Sequence, residues 1–396
     1  MSKRWNLFRP TRWPVLLLTL CVTSMTAMAQ DCEVKIGVTG PMSGGASSWG
    51  LATKAGAEFE AAMTNAAGGL RVGDHKCKVT VVSFDAQYTA AGGAAASSYF
   101  ASQNIHAIIG PVGSPETTGF KPVAKRDGQV NFSSASATDA IGPEWPLSFH
   151  QLQSPHTSGP VLIKEAKNRF KFQSVVVIAA NDQGGTTAGQ ALAKIYADQG
   201  VKATQEYYQR GTTNFAPLAT RIMNENPDTV ELAATPPGDA ALLVKQLLQA
   251  GYTGVFGGLG GIGVNPVVQG AGGIDKLKGY YWLQLMPVED PGAQRLRVDY
   301  ERVMNSSPPQ NDLLYTSTTA TEQLLRAISA AGTDQDADKI AAALRKMTPE
   351  SRYFGKGGWR GQSQYGINQE LAFPVGLGII ADGKRVGVQR IEIPAE

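Results

Sequence analysis

The segment AIIGPVGSPETTGF, residues 107–120, passes from an apolar run through Gly, Ser and Pro into a helix-like run. Consecutive apolar residues predict a strand that is buried on both faces, as in a parallel sheet. Pro115 suits the first turn of a helix, which predicts that Ser114 caps this helix. Such a junction offers free N–H groups and a hydroxyl to a phosphate, an acyl group under attack, or a small ligand that is only bound.

The same order of apolar strand, Gly- or Ser-rich turn and amphipathic helix recurs along the chain. Strands are predicted at 34–38, 79–84, 105–110, 129–133, 174–179, 201–208, 228–234, 254–257, 279–285, 371–380 and 385–392. Helices are predicted from about Gly50 and at 186–198, 292–304, 313–331 and 336–347, the first with Leu51, Ala55, Phe59 and Met63 on one face. This alternation predicts an α/β protein with parallel sheets flanked by helices, and the length indicates two domains.

The N-terminal residues have the pattern of a secretory signal peptide. Four basic residues between positions 3 and 12 precede the apolar run 15–22, and small residues follow at 27–29. The apolar run is shorter than the roughly 20 residues of a membrane span, so a cleaved signal at 1–29 is predicted instead of an anchor. Without residues 1–29 the chain has 32 basic and 33 acidic residues, which gives a net charge of −1. With no basic stripe left, nucleic acid is not an expected partner.

Two cysteines remain after the signal, Cys32 and Cys77, and an oxidising compartment favours their pairing. Each directly precedes a predicted strand. If these strands are parallel neighbours, both cysteines lie at the same end and about one strand spacing apart, which a disulfide can bridge. Metal binding by two isolated cysteines is the weaker alternative. The sequence therefore predicts a structural disulfide and no metal site.

Six loops follow predicted strands at the edge where open parallel sheets bind ligands. They are rich in Gly, Ser, Thr and Ala and contain few charges. The loops are 40–50, 110–119, 133–140, 181–189, 235–241 and 258–265. Hydroxyls and backbone amides of this kind suit a small anionic or zwitterionic ligand.

Patterns typical of enzymes are weak or absent in the sequence. The segment 110–119 lacks the G-x-S-x-G of a nucleophile elbow, the four histidines fall outside the six loops, and no phosphate loop is present. Gly258–Gly263 fits G-x-G-x-x-G, but a dinucleotide site also needs an acidic residue about 20 positions on, where 276–278 is basic. A nucleotide-cofactor enzyme using this loop is kept as an alternative. The favoured prediction is a protein without catalytic activity or cofactor.

Three segments resemble the substrate-binding proteins of branched-chain amino-acid-type ABC transporters, the Leu/Ile/Val-binding-protein family. They are VKIGVTGPMSGGASSWG (34–50), IIGPVGSPETTGFKPVAKRDGQVNFSSASATDAI (108–141) and GDAALLVKQLLQAGYTG (238–254). The resemblance implies a type I periplasmic binding fold, with two Rossmann-like lobes joined by three crossover segments. The limits it implies are 30–150 with 287–372 for lobe 1, and 151–286 with 373–396 for lobe 2.

The resemblance also implies a function and a location. The protein is expected to be a periplasmic monomer that captures a small carboxylate-bearing metabolite, an amino acid or related organic acid, and delivers it to an ABC permease at the inner membrane. A ligand-sensing module of the same fold is the alternative.

The family's carboxylate site maps onto residues of the first lobe. The resemblance assigns it to Ser114 and to Ser136, Ala137 and Thr138, where alignment requires one extra residue within 133–139. Hydroxyls and helix-start amides form charge-assisted bonds to a carboxylate without a buried cation. Trp49, flanked by Ser and Gly in a predicted loop, is expected to cover the ligand.

The second lobe departs from the family's pattern. Thr186 and Thr235 stand where aromatic residues are common, and Gly260 and Gly261 stand where an acidic residue usually pairs with the ligand's ammonium. An unpaired buried ammonium is costly. Either Asp182 or Asp239 therefore takes that role, or the ligand has no α-amino group. Each aspartate also has a local alternative, a turn for Asp182 and a helix first turn for Asp239.

Overall fold

The computed structural model describes residues 1, 2, 5, 32–285 and 289–394. The chain divides into Met1–Asp31 and Cys32–Glu396. In the first segment Met1, Ser2 and Trp5 are exposed, and the rest of the predicted signal peptide 1–29 lies outside the described residues. Among the helices that are described, none has the length and hydrophobicity required to cross a membrane.

The second segment, Cys32–Glu396, alternates strands with helices. The strands are β1 Glu33–Gly40, β2 Leu70–Val72, β3 His75–Asp85, β4 Ala107–Val112, β5 Val130–Ser134, β6 Ser148–His150, β7 Ser174–Ala180, β8 Lys202–Tyr208, β9 Thr229–Glu231, β10 Val255–Gly258, β11 Gly279–Gln284, β12 Glu350–Ser351, β13 Gly355–Lys356, β14 Gly358–Arg360, β15 Glu370–Ala372, β16 Val375–Ala381 and β17 Lys384–Ile391. The helices are α1 Ser47–Ala66, α2 Ala90–Ser102, α3 Ser114–Arg126, α4 Pro155–Phe170, α5 Gln183–Asp198, α6 Ala216–Glu225, α7 Pro237–Gln249, α8 Asn265–Ala271, α9 Pro291–Met304, α10 Leu313–Ala331, α11 Ala337–Lys346 and α12 Gln362–Tyr365.

Two sheets built mainly from parallel strands form the framework. The first has the order β14-β15-β6-β5-β4-β1-β3-β2, and the second has the order β17-β16-β11-β10-β9-β7-β8. Antiparallel pairing is confined to the sides of each sheet, at β2–β3 and β14–β15 in the first and at β11–β16–β17 in the second. The predicted α/β architecture with parallel sheets is therefore confirmed.

We call each sheet, with the helices that pack on it, a lobe. The chain passes from one sheet to the other three times, between β6 and β7, between β11 and β14, and between β15 and β16. Helix α10 packs on α1 and β4 of the first lobe, although it follows β11 of the second in sequence. The lobe limits given from the resemblance remain a prediction.

Most predicted elements occur within a few residues of their expected limits, and the differences have local causes. The predicted strand 371–380 is two strands in different sheets, because Phe373–Pro374 is the third passage between the lobes. The predicted strand 228–234 ends at Glu231, since Ala233 has a positive φ of 37°. Helix α1 begins at Ser47, and Leu51, predicted on its buried face, is 47% exposed.

The predicted disulfide is present between Cys32 and Cys77, with a Cα–Cα distance of 4.4 Å. It lies at the amino-terminal end of β1, where Glu33 pairs with Lys78 in a parallel register. The expected neighbouring strands, β1 and β3, thus bring the two cysteines together.

Candidate functional site

A cavity of about 90 Å³ lies between the two lobes, where loops leave the carboxyl ends of strands in both sheets. Its walls combine small polar residues with Trp, Tyr and Leu side chains. It is lined by Trp49, Tyr88, Val112, Gly113, Ser114, Ser134, Ala135, Ser136, Leu152, Gln153, Ser154, Pro155, Ser158, Gly184, Ala234, Leu259, Gly260, Gly261, Leu283, Leu285 and Leu313. Among these described lining residues there is no Asp, Glu, Lys, Arg or His.

Ser114 occupies the wall formed by the junction of β4 and α3. Its side chain is buried, with 1% of the residue exposed. The Oγ atom accepts hydrogen bonds from the backbone N–H groups of Ser136 (3.1 Å) and Ala137 (3.0 Å). This hydroxyl thereby joins the two loops that were predicted to bind a carboxylate.

The predicted capping role of Ser114 is wrong by one residue. Gly113, with a φ of 96°, is the N-cap of α3, and Ser114 is the first helical residue. The Ser114 hydroxyl therefore bonds across to the 135–137 loop and not to the amides of its own helix.

The three residues of the second predicted carboxylate segment have different positions. Ser136 lines the cavity and Ala137 is buried behind it, with its N–H on Ser114. Thr138 is exposed and is not among the cavity residues. The structure thus brings Ser114, Ser136 and Ala137 together and leaves Thr138 outside.

Trp49 lines the cavity, and it lies in the first turn of α1 and not in the predicted loop; its expected role of covering the ligand stays a prediction. It is buried, and it belongs to the hydrophobic core as well as to the cavity wall. Its indole N–H donates to the carbonyl of Gly261 in the second lobe (3.4 Å). Trp49 therefore spans the space between the lobes.

Tyr88 is a wall residue that the sequence did not indicate. It follows β3, has a positive φ of 58°, and its ring centroid lies 6.0 Å from that of Trp49. Glu116 holds the Tyr88 backbone by accepting its N–H (2.7 Å), and burial raises the pKa of this glutamate to about 8. No short motif encodes such a contact between residues 28 positions apart.

Asp182, one of the two candidate partners for an ammonium, is already engaged. It is the N-cap of α5, accepting the N–H of Gly185 (2.9 Å), and its other oxygen accepts from Nε of Arg210 (2.7 Å) and from Nη2 of the same residue. The Arg210 guanidinium in turn lies 4.2 Å from the centroid of the Tyr88 ring. Asp182 does not line the cavity.

Asp239, the other candidate, is likewise outside the cavity wall. It lies in the first turn of α7 and accepts a hydrogen bond from the Tyr208 hydroxyl (3.0 Å). Burial raises the pKa of Asp239 above its usual value. Neither aspartate is therefore placed to pair with a ligand in this cavity.

The remaining predicted residues of the second lobe are Gly260, Thr186 and Thr235, and they differ in whether they line the cavity. Gly260 lines the cavity, whereas Thr186 and Thr235 do not. The Thr186 hydroxyl donates to the Asp182 carbonyl (2.7 Å), and Thr235 is buried. At Gly260 a Cβ would lie 1.8 Å from the carbonyl oxygen of Ala233. This position of the G-x-G-x-x-G match therefore needs glycine because the backbone of Ala233 packs closely against it.

Glu231 holds part of the second lobe's cavity wall in place through hydrogen bonds. One carboxyl oxygen accepts the N–H groups of Leu259 (2.8 Å) and Ala233 (3.1 Å), and the other accepts the hydroxyl of Tyr196 (2.8 Å). Burial raises the pKa of Glu231 to about 7. Because Leu259 lines the cavity, this carboxyl group positions part of the wall.

Replacing Glu231 by Gln should change how stability depends on pH. Its pKa is raised from 4.5 to about 7 in the folded protein, so the folded state retains a proton that the unfolded state has lost. The contribution of Glu231 is therefore present at low pH and falls as the pH rises from about 4.5 to about 7, by at most about 1.4 kcal/mol per pH unit. Urea unfolding at pH 5, 6 and 7 should show the wild type losing stability relative to Glu231→Gln. Glu301→Gln serves as a control for the same substitution at an exposed position. Parallel curves for wild type and Glu231→Gln would contradict the expectation.

Part of the wall comes from the first passage between the lobes. Gln153, Ser154 and Ser158 contribute polar groups, but these already bond within the protein: the Ser158 hydroxyl donates to the Ser154 carbonyl (3.2 Å), and the Gln153 amide donates to the carbonyl of Phe373. None of these three residues is predicted from the sequence to be in the ligand site. A buried polar segment directly after a strand is the signal that would have found them.

The two lobes touch around the cavity. Besides the Trp49 and Arg210 contacts, the Thr118 hydroxyl of α3 donates to the side-chain carbonyl of Gln183 in α5 (2.5 Å). Within the described residues, no group of three or more His, Cys, Asp or Glu side chains could hold a metal ion.

Two α/β lobes that are joined by three chain passages and meet around a small cavity define a solute-binding protein of the type I periplasmic class. A sequence model of the family described as periplasmic binding protein matches residues 33–373. The chain therefore belongs to the periplasmic binding protein family, and the resemblance inferred from its motifs is confirmed.

Relatives and solved structures agree with this assignment. The chain is 24% identical over 327 residues to a leucine-, isoleucine-, valine-, threonine- and alanine-binding protein of Pseudomonas aeruginosa, covering 82% of this chain and 85% of the relative. It resembles the crystal structure of a leucine binding protein from Thermotoga maritima with a TM-score of 0.77 and 20% identity, covering 91% and 99% of the two chains. It also resembles a solute binding protein of an ABC transporter from R. palustris in complex with 4-hydroxybenzoate, with a TM-score of 0.74, 19% identity, and coverage of 91% and 98%. At these identities the structural matches establish the fold alone.

Proposed function

We propose that this protein binds a small organic acid that has a carboxylate and no α-ammonium group, and that it delivers this acid from the periplasm to an ABC permease. The observation that carries the proposal is the state of the Ser114 hydroxyl. A hydroxyl has two acceptor lone pairs and one donor. Both acceptor positions are occupied by the N–H groups of Ser136 and Ala137, and no described residue accepts its proton.

A buried hydroxyl with only its proton free favours a ligand that accepts hydrogen bonds. Ser114 lies in the first turn of α3, where the free N–H groups and the helix dipole favour negative charge. Two further serines, Ser134 and Ser136, line the same wall. A carboxylate held by neutral donors fits this environment without a buried cation.

The rest of the cavity argues against an ammonium group. No carboxylate is present among the described lining residues, and both candidate aspartates are bonded elsewhere. Burying an ammonium without a counter-charge costs several kcal/mol. Carboxylic acids without an amine, including oxo acids and aromatic acids, therefore fit better than amino acids, and a 4-hydroxybenzoate-bound protein of the same fold shows that the fold accommodates such acids.

Thermal unfolding with matched ligands tests the ligand class. Each α-amino acid is compared with its oxo acid and its simple carboxylic acid. At a hundredfold excess over Kd, a ligand adds about 2.7 kcal/mol of stability, which raises the unfolding midpoint measurably. Shifts with amine-free acids are expected, and shifts with amino acids alone would overturn the proposal.

Replacing Ser114 by Ala should weaken binding of the acid by roughly 10- to 150-fold, since one hydrogen bond to a charged group contributes about 1.5–3 kcal/mol. Ser158→Ala is a matched control: it also lines the cavity and is buried, but its hydroxyl already donates to Ser154. Isothermal titration should show less than a threefold change for this control. Equal losses for the two variants would mean that Ser114 has no special role.

Delivery to a permease and export to the periplasm belong to the same proposal, and family membership and the N-terminal pattern support them. Deleting the gene tests delivery directly. Loss of uptake of the radiolabelled acid is the expected result. Unchanged uptake with loss of a ligand response would favour the sensing alternative.

A further inference from the structure

A second, smaller chamber of about 20 Å³ adjoins the cavity beside the first and third passages between the lobes. The two spaces share Gln153 and Leu285 as wall residues. No residue of the loops that carry Ser114 and Ser136 lines the second chamber. The chamber therefore adjoins the cavity through Gln153 and Leu285 and not through the loops of the carboxylate site.

Two buried polar side chains in this chamber have unpaired atoms. Gln151 is 2% exposed, and both Nε2 and Oε1 of its amide have no hydrogen-bond partner among the described residues. Thr319, on α10, is 3% exposed, and its Oγ1 is also unpaired. A buried polar group that stays unsatisfied destabilises the folded protein, so each of these atoms favours a hydrogen-bond partner. Two residues that are 168 positions apart thus present donors and acceptors to the same small space.

The size of the chamber limits what can satisfy them. A volume of about 20 Å³ is room for about one water molecule or one hydroxyl group. The other walls are mostly apolar or aromatic, with Tyr315, Phe354, Leu371 and Phe373. No Asp, Glu, Lys or Arg is among the described lining residues, so a neutral group fits and a second charge does not.

We propose that Gln151 and Thr319 form a polar subsite for a hydroxyl group at the end of the ligand remote from its carboxylate. This inference rests on the proposed function, because the carboxylate at Ser114 sets the ligand's direction. An amide that both donates and accepts, next to a hydroxyl, matches a ligand hydroxyl in both of its hydrogen-bonding roles. When the ligand has no such group, one water molecule takes the place.

Titration with matched acids tests the subsite. The probes are benzoate with 4-hydroxybenzoate, and pentanoate with 5-hydroxypentanoate. In at least one of the two pairs, the wild type should bind the hydroxylated acid at least tenfold more tightly than the acid without the hydroxyl group. Thr319→Val, which is nearly isosteric, and Gln151→Met should each reduce this preference to below threefold, with little change for the unsubstituted acid. A wild type without the preference, or variants that keep it, would overturn the subsite.

Two further measurements separate this proposal from the proposed function. Ser114→Ala should weaken both members of a pair equally and leave the hydroxyl preference intact. If none of the four acids binds, the thermal unfolding series still decides the ligand class, and a crystal structure of the unliganded protein decides the subsite. Ordered density within hydrogen-bonding distance of both Gln151 and Thr319 supports it, and an empty chamber overturns it.

Discussion

Gly184→Val is expected to weaken ligand binding by at least about 100-fold while the protein remains folded. Gly184 is the second residue of α5 in the second lobe, and it faces Ser114 of the first. A Cβ at this position would lie 2.9 Å from the Ser114 Oγ and 3.2 Å from its Cβ. Since real side-chain contacts are longer, the two methyl groups of valine require the lobes to separate.

The effect should fall on lobe closure and not on the fold of either lobe. Gly184 does not have a positive φ, so a valine is compatible with its backbone. Binding in this class favours the state in which both lobes contact the ligand, and a variant that cannot reach this state loses the contacts of one lobe. Gly184→Ala should have a smaller effect in the same direction.

Isothermal titration and small-angle X-ray scattering together measure this result. Gly184→Val should bind the acid weakly and keep a larger radius of gyration than the wild type when ligand is present. The control is Thr187→Val, which introduces the same side chain one position beyond the first turn of α5. Thr187 does not line the cavity, so this variant should bind the acid normally. Normal affinity of Gly184→Val would show that the acid is bound without close approach of the two loops.

Much of the fold could be predicted because the strands of a buried parallel sheet are continuous apolar runs. β7, Ser174–Ala180, is the clearest case, since its last six residues are buried and all are Val, Ile or Ala. The failure at 371–380 has a physical cause. β15 and β16 are both apolar and separated by two residues, so periodicity alone does not show that they belong to different sheets.

The first lobe's part of the site could be predicted because its residues directly follow strands. Ser114 and Ser136 are brought together by the parallel pairing of β4 with β5, which places both loops at one edge. Tyr88 could not be predicted, because its position depends on a positive φ and on the hydrogen bond that its N–H donates to Glu116, and neither has a local sequence pattern.

Whether the second lobe offers a carboxylate to the ligand could not be predicted from the sequence either. Asp182 is a candidate partner for a ligand ammonium in the sequence, because no local pattern shows its bond to Arg210, which is 28 residues away, after β8. Only the parallel pairing of β7 with β8, in which Ala180 lies beside Tyr208, brings the two side chains within reach. Sequence therefore left two alternatives for the ligand, and the proposed function takes the one without an ammonium because both aspartates are bonded elsewhere.

Removing the disulfide should lower the free energy of unfolding by about 4 kcal/mol, the loop-entropy value for a separation of 45 residues. The expected loss is large because the bridge restricts the unfolded chain, whereas the folded protein already holds the cysteines together through the parallel pairing of β1 with β3. Cys32→Ala with Cys77→Ala tests this by urea unfolding, with the reduced wild type as a control that keeps both side chains.

Ligand affinity should change little in the same double variant. The bridge lies at the amino-terminal end of β1, whereas the cavity forms beyond the carboxyl ends of the strands. If the reduced wild type and the double variant lose the same stability, the effect is the loss of the cross-link; a larger loss in the double variant would assign the excess to the packing of the buried Cys77. An unfolding free energy within about 1 kcal/mol of the oxidised wild type would show that the unfolded chain already keeps these two segments close, and the loop-entropy argument would then fail.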